Sequence, residues 1–193
     1  RLVGLCSVNP VWGRKALDEI ERCATHGLRG VGELHPDTQG FDIGDEATLA
    51  PLMELAASLA MPVLVHCSEP AGHKYPGKGN TTPEKVYRFI ENFPENQIIC
   101  AHWGGGLPFY ELMPEVPEVL KNVFFDSAAS PFLYRPGVYP TVAGLVGPDR
   151  IIFGTDYPLI QYPRAMGHLA DAGLEEHDRA AILGDNALRL FGL

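Results

Sequence analysis

The feature that most constrains this chain is a regular alternation of short apolar runs with amphipathic stretches. The runs are LVGLCSV (2–8), LRGVGEL (28–34), PVLVHC (62–67), QIICAH (97–102), NVFFD (122–126) and RIIFG (150–154). Their apolar residues are nearly continuous rather than alternating, which is the pattern of parallel strands covered on both faces. Helical periodicity fills the gaps. Residues 14–26 place Ala16, Ile20, Cys23 and Ala24 on one face, with Gly27 as a C-terminal stop. Residues 48–60 align Leu49, Leu52, Met53 and Ala56. In 82–93, Thr82 is placed to cap, Pro83 takes the first helical position, and Val86, Phe89, Ile90 and Phe93 form the stripe. After His102 the helical signal weakens, because Pro108, Pro114 and Pro117 interrupt it. The chain is expected to close with helices near 174–183 and 186–191, parted at Gly184.

A strand–helix repeat of about 25–35 residues implies βαβ units, a parallel sheet and right-handed crossovers. No Gly-x-Gly-x-x-Gly follows the first run, which weighs against a dinucleotide-binding open sheet. The 193 residues are 46% hydrophobic and 20% charged, which suits one domain over 1–193 with a substantial core. Fifteen basic against 24 acidic residues give a net charge of −9, so nucleic acid and anionic membranes are poor partners. No apolar stretch is long enough to span a bilayer. Cys6, Cys23, Cys67 and Cys100 form no Cys-x-x-Cys pair, and three lie in apolar runs. Buried, reduced thiols and a cytoplasmic location are therefore expected. Residue 1 is Arg and strand pattern begins at Leu2, so further sequence ahead of it is also expected.

Several strands end on a residue able to bind a metal or move a proton. The fragments are Gly32-Glu33-Leu34-His35, Val65-His66-Cys67, Ala101-His102-Trp103 and Gly154-Thr155-Asp156-Tyr157. In a parallel barrel all strand C-termini share one face, so these groups would converge. One histidine ending an apolar strand is ordinarily a hydrogen-bonded core residue; packing alone does not repeat the pattern four times. Imidazole with carboxylate suits a borderline cation such as zinc. A bound ion would make hydroxide available near neutral pH, and a carboxylate at its edge would take the proton.

With these residues in hand, the sequence resembles the amidohydrolase superfamily, in its amidohydrolase-related branch of metal-dependent hydrolases, which also contains non-oxidative decarboxylases. The resemblance is carried by GVGELHP (30–36), PVLVHCSEPAGH (62–73), IICAHWGGGLP (98–108), VFFDSAAS (123–130), RIIFGTDYP (150–158) and GDNALRLF (184–191). It implies an α/β chain of the (β/α)8 TIM-barrel type, here about six βα units, strands three to eight. By resemblance His66 would bind metal on strand five. His102, on strand six, would be a second-metal ligand or a proton donor and acceptor. Asp156, on strand eight, would bind metal and accept a proton. Glu33 ends strand four, where TatD-like relatives use a glutamate for a second metal. Other members carry a carbamylated lysine there, and this chain has none. The superfamily's His-x-His pair is absent from the seven histidines (His26, His35, His66, His73, His102, His168 and His177). The resemblance therefore places strands one and two, with that pair, upstream of residue 1.

Around this core, the polar loop 68–80 offers His73, Tyr75 and Lys78 to an anionic substrate, against the plainer reading of a surface loop with incidental charge. Trp103 would pack beside the metal or line the pocket. Gly104-Gly105-Gly106 would let backbone approach a ligand, or be a mere turn. Ser127 and Ser130 would bond substrate or cap a helix. His35 is a further candidate if its strand runs on, while His26, His168 and His177 read as surface residues on helices. The leading reading is a hydrolase of a small carbonyl, amide or ester substrate, with a divalent ion, zinc before others, as cofactor. The alternatives are a metal-dependent non-oxidative decarboxylase of a small carboxylate, a TatD-like phosphodiesterase, which the negative charge disfavours, and a domain that has lost catalysis. The partner is a small molecule, and a homo-oligomer is compatible with the sequence.

Overall fold

The computed structural model describes residues 2–72 and 74–193. Five strands form one sheet: β1 (Val31–Leu34), β2 (Val63–Val65), β3 (Ile98–Cys100), β4 (Val123–Asp126) and β5 (Ile151–Ile152). All neighbours pair in parallel, and the strand order is the sequence order. A doubly wound sheet would reverse its order at a switch point. The described strands show no reversal, so the sheet is a partial barrel wall, α/β as expected.

Six strands were expected, and among the described residues five are present. The first run is reduced to an isolated parallel bridge, Cys6 to Val31. Arg29 N donates to Gly4 O at 3.0 Å, Cys6 N to Gly30 O at 2.8 Å, and Gly32 N to Cys6 O at 2.9 Å. The pairing goes no further. Gly32 sits at φ +135°, outside extended geometry, and Pro10, just beyond the run, has no N–H to donate.

Side chains on the strands separate into two layers, as the pleat requires. Val63, Val65, Ile98, Cys100, Val123, Phe125 and Ile151 point outward into the main core with the helices. Leu64, Ile99, Phe124 and Ile152 point inward and meet Leu190 and Phe191 in a smaller cluster. Each large aliphatic or aromatic group so buried stabilises by about 1.5–3 kcal/mol. The covering helices include α1 (Arg14–Thr25), a single turn α2 (Pro36–Gln39), α3 (Glu46–Ser58) and α4 (Pro83–Asn92). α1 buries Ala16, Ile20 and Cys23, and α4 buries Val86, Phe89 and Ile90, as their periodicity predicts. Asp45 caps α3 by accepting from Thr48 N at 3.2 Å. Thr82 occupies the N-cap position of α4, but its side chain makes no capping hydrogen bond.

Two departures concern the C-terminal half. Val138–Val146 is helical, although its sequence, VYPTVAGLV, shows no polar face from which periodicity could be read. The expected break at Gly184 is not there. Glu176–Ala180, a π-helical turn over Ala181–Asp185 and Asn186–Phe191 run on without interruption. Buried Asn186 docks that end on β5, donating to Pro148 O at 2.8 Å and to Ile151 O at 2.7 Å. Among the described residues no helix is long and apolar enough to cross a membrane.

Candidate metal centre

Because the strands are parallel, their C-terminal ends lie along one edge, and the sequence puts polar groups there. Glu33 belongs to β1, while His66 directly follows β2. His102 was expected at a strand end. Instead β3 stops at Cys100, and His102 and Trp103 form a left-handed turn at φ 55° and 58°. Asp156 is also left-handed, at φ 61°. Non-glycine residues hold such backbone only where their surroundings enforce it, and such positions cluster at functional sites.

Glu33, His66 and His102 place their donor atoms within 4.8 Å of one another. Nδ1 of His66 lies 2.9 Å from Oε1 of Glu33, and Nε2 lies 3.0 Å from the carbonyl oxygen of Lys78. Both neighbours only accept, so the imidazolium form can donate to both, and holding a metal ion requires the ring to give up one of these protons. Burial acts to lower the His66 pKa. The hydrogen bonds to Glu33 and the Lys78 carbonyl, and the charges of Glu33 and Asp156, outweigh it and raise the pKa. For Glu33 burial acts upward, but the hydrogen bond and charge of His66, with His102 and His35 behind it, hold the carboxyl below its ordinary value. The His35 ring stacks on His66 at 3.9 Å between centroids, nearly parallel at 7°. His102 meets His66 edge-on at 5.0 Å. Nδ1 of His102 faces the carbonyl of Ala128 at 3.2 Å, so that nitrogen carries the proton in a neutral ring and Nε2 is left for chemistry.

Glu33, His102, Asp126 and Asp156 line one cavity of about 260 Å³. Asp156 therefore shares the cavity, but its carboxylate is not part of the tight Glu33–His66–His102 group. Asp126 was not anticipated, although it ends an apolar strand just as the other candidates do. Burial is the main cause that pushes its carboxyl up to about 7. A hydrogen bond from Ala128 N–H opposes this, and the charges of Glu33 and Asp156 add to it. Three carboxyl groups around two imidazoles make a site that favours positive charge. Its nitrogen and oxygen donors fit a divalent ion of borderline or hard character.

The remaining candidates fall elsewhere. His73 lies outside the described residues. Lys78 directs its Nζ to Ala71 O at 2.8 Å and lies 5.7 Å from the centroid of the Tyr75 ring. With Glu69, Tyr75, Phe109 and Tyr134 it lines a second cavity of about 470 Å³. Trp103 does not line either cavity. It is fully buried, donates its indole N–H to Ser130 Oγ, and packs edge-on against Tyr139 at 5.0 Å. The left-handed turn that offers His102 to the cavity drives the next side chain into the core. Packing requires the glycine at 105, since a Cβ there would stand 2.4 Å from Ser68 O, and Gly105 and Gly106 also line the second cavity. Ser127 is likewise internal, its hydroxyl accepting from Gly154 N at 3.1 Å.

The profile of the amidohydrolase family matches residues 1–193. A gamma-resorcylate decarboxylase from Polaromonas sp. (strain JS666 / ATCC BAA-500) is 26% identical over 221 residues, covering 92% of this chain. This chain spans 66% of that relative's length. The fold matches 5-carboxyvanillate decarboxylase from Sphingomonas paucimobilis with a TM-score of 0.81 at 20% identity, over 100% of this chain and 67% of that one. It also matches dihydroxybenzoic acid decarboxylase from Polaromonas sp. JS666, solved with bound manganese and the inhibitor 2-nitroresorcinol. There the TM-score is 0.73 at 22% identity, over 96% of this chain and 66% of that one.

Proposed function

Because the chain belongs to the amidohydrolase family, we propose that it serves the metal-dependent, non-oxidative decarboxylation of a small hydroxylated aromatic carboxylate. The observation that carries this reading is the Glu33–His66–His102 group at the strand ends. The relatives named above turn it from hydrolysis, the leading expectation from sequence, to decarboxylation. Glu33 and His66 would hold a divalent ion, with Asp156 at the cavity wall completing the set. Manganese in a relative's structure widens the choice beyond zinc. Bound there, the ion would supply positive charge that fixes the substrate carboxylate and steadies negative charge in the ring.

This chain's residues would do the rest. His102, held through Nδ1 by the Ala128 carbonyl, would take a proton from solvent on Nε2 and pass it to the substrate. The ring-to-carboxylate bond breaks, its electron pair stays on the ring carbon, and that carbon takes the proton from Nε2. Carbon dioxide and the arene leave, and solvent reprotonates His102. The hydrolytic reading keeps the same site, with Asp156 collecting the proton of an attacking water. The separating experiment incubates metal-loaded protein with carboxyl-labelled hydroxybenzoates and, in parallel, with aryl esters and amides. Labelled carbon dioxide with an arene lighter by its mass supports decarboxylation. Turnover of esters or amides with gain of water, and no labelled gas, overturns it.

A further inference from the structure

Outside the strand-end group, Cys6, Glu19 and Cys23 also bring three donor atoms within 4.8 Å of one another. Glu19 and Cys23 stand one turn apart on α1 and share a face. Cys6 comes from the segment that bridges to β1. The Cys23 thiol lies 3.4 Å from Glu19 Oε1, and the Cys6 thiol lies 3.8 Å from the Glu19 carbonyl oxygen. Both cysteines are buried, at 2% and 3% exposure, while Glu19 reaches solvent and opens a route inward. Arg22 grips both oxygens of Glu19 at 2.7 Å, fixing the carboxylate over the thiols.

We propose that Cys6, Cys23 and Glu19 form a second cation site, which takes Zn²⁺ or a similarly thiophilic divalent ion and clamps the segment before α1 to that helix. A tetrahedral zinc with bonds of about 2.3 Å to sulfur and about 2.0–2.2 Å to oxygen spaces its donors roughly 3.5–3.8 Å apart. Cys23 Sγ and Glu19 Oε1, 3.4 Å apart, already stand near that spacing, and the Cys6 thiol, within 4.8 Å of both, closes the rest by side-chain rotation. Thiolate donors select zinc over manganese, so this site and the imidazole–carboxylate site prefer different ions. Binding breaks two S–H bonds, releases both protons to solvent and forms two metal–sulfur bonds, so the formal charge of the group is unchanged. Arg22 stays on the carboxylate and orients it, and water completes the coordination from the Glu19 side. The other adjacent thiols, Cys67 and Cys100, belong to no such donor group among the described residues.

The test titrates metal-free, reduced protein with Cd²⁺ and follows the ultraviolet charge-transfer band of cadmium–thiolate bonds. Zn²⁺ displacement and elemental analysis complete it. The band should appear, disappear in Cys6→Ala and in Cys23→Ala, and persist in His66→Ala/His102→Ala. Glu19→Gln, a partly exposed change that leaves the core alone, should weaken binding by about tenfold or more, which keeps the test decisive if a cysteine variant fails to fold. No band in the folded parent protein, a band that survives Cys23→Ala, or Glu19→Gln binding as tightly as the parent would overturn the proposal. So would a Cys6–Cys23 disulfide that forms in preference to metal binding.

Discussion

The carboxylate of Glu33 and the imidazole of His66 meet at 2.9 Å across 33 residues of sequence. One sits in β1 and the other just past β2, and parallel pairing of those strands brings them together. The bond accounts for much of the electrostatics of the site. Replacing Glu33 by Gln removes the charge that favours the His66 imidazolium. The ring should then titrate at lower pH by NMR, and divalent-ion affinity should fall by about 10–100-fold. An unchanged His66 titration and an unchanged affinity would separate Glu33 from the site.

His102 is best tested by Asn. Its backbone is left-handed, which Asn tolerates better than Ala, and an amide can still donate to the Ala128 carbonyl. His102→Asn should therefore fold normally and bind metal, yet lose about 10²–10⁴ in kcat for carbon dioxide release. Parental turnover in this variant would exclude the ring as proton carrier.

Asp126 makes a pH prediction. Its carboxyl is raised to about 7 in the folded chain, against 3.8 for the ordinary group. Between those values the folded state holds a proton that the unfolded state has lost, so stability falls as pH rises through the interval. The penalty is complete above the folded value. Asp126→Asn removes it, so the variant's gain in Tm over the parent should grow from pH 5 to pH 8, in a pH window that follows from the same linkage. A Tm difference that is flat across this range would refute the burial argument.

Gly154 is required by a neighbour rather than by its own backbone. A Cβ there would stand 2.0 Å from Asp126 Oδ1. Gly154→Ala should destabilise by about 1–3 kcal/mol in denaturant titrations, as overpacking does. Gly154→Ala/Asp126→Ala should recover most of the loss. A single variant as stable as the parent would mean that the wall of the cavity yields easily.

What could be read from sequence followed local periods. Continuous apolar runs located β1 to β5, and 3.6-residue stripes located α1, α3 and α4, because burial on two faces or on one leaves its mark directly in residue order. The helix Val138–Val146 left no such mark, since it is apolar almost throughout. The reduction of the first run to a bridge followed from the φ of Gly32, which residue order does not encode.

For the site, the sequence by itself determined that Glu33, His66, His102 and Asp156 follow apolar strands, and hence that they share one edge if the strands are parallel. Only the tertiary structure decided which of them touch. It joined Glu33, His66 and His102 closely, left Asp156 at the cavity wall, stacked His35 on His66 and added Asp126. It also turned Trp103 away into the core. The physical reason is that strand pairing sets position to within a residue, whereas contact between side chains depends on dihedrals beyond the strand ends. The left-handed turn at His102 is buried and packs against a distant segment, with its ring 3.2 Å from the Ala128 carbonyl, so the order of residues around it does not reveal where its side chain points.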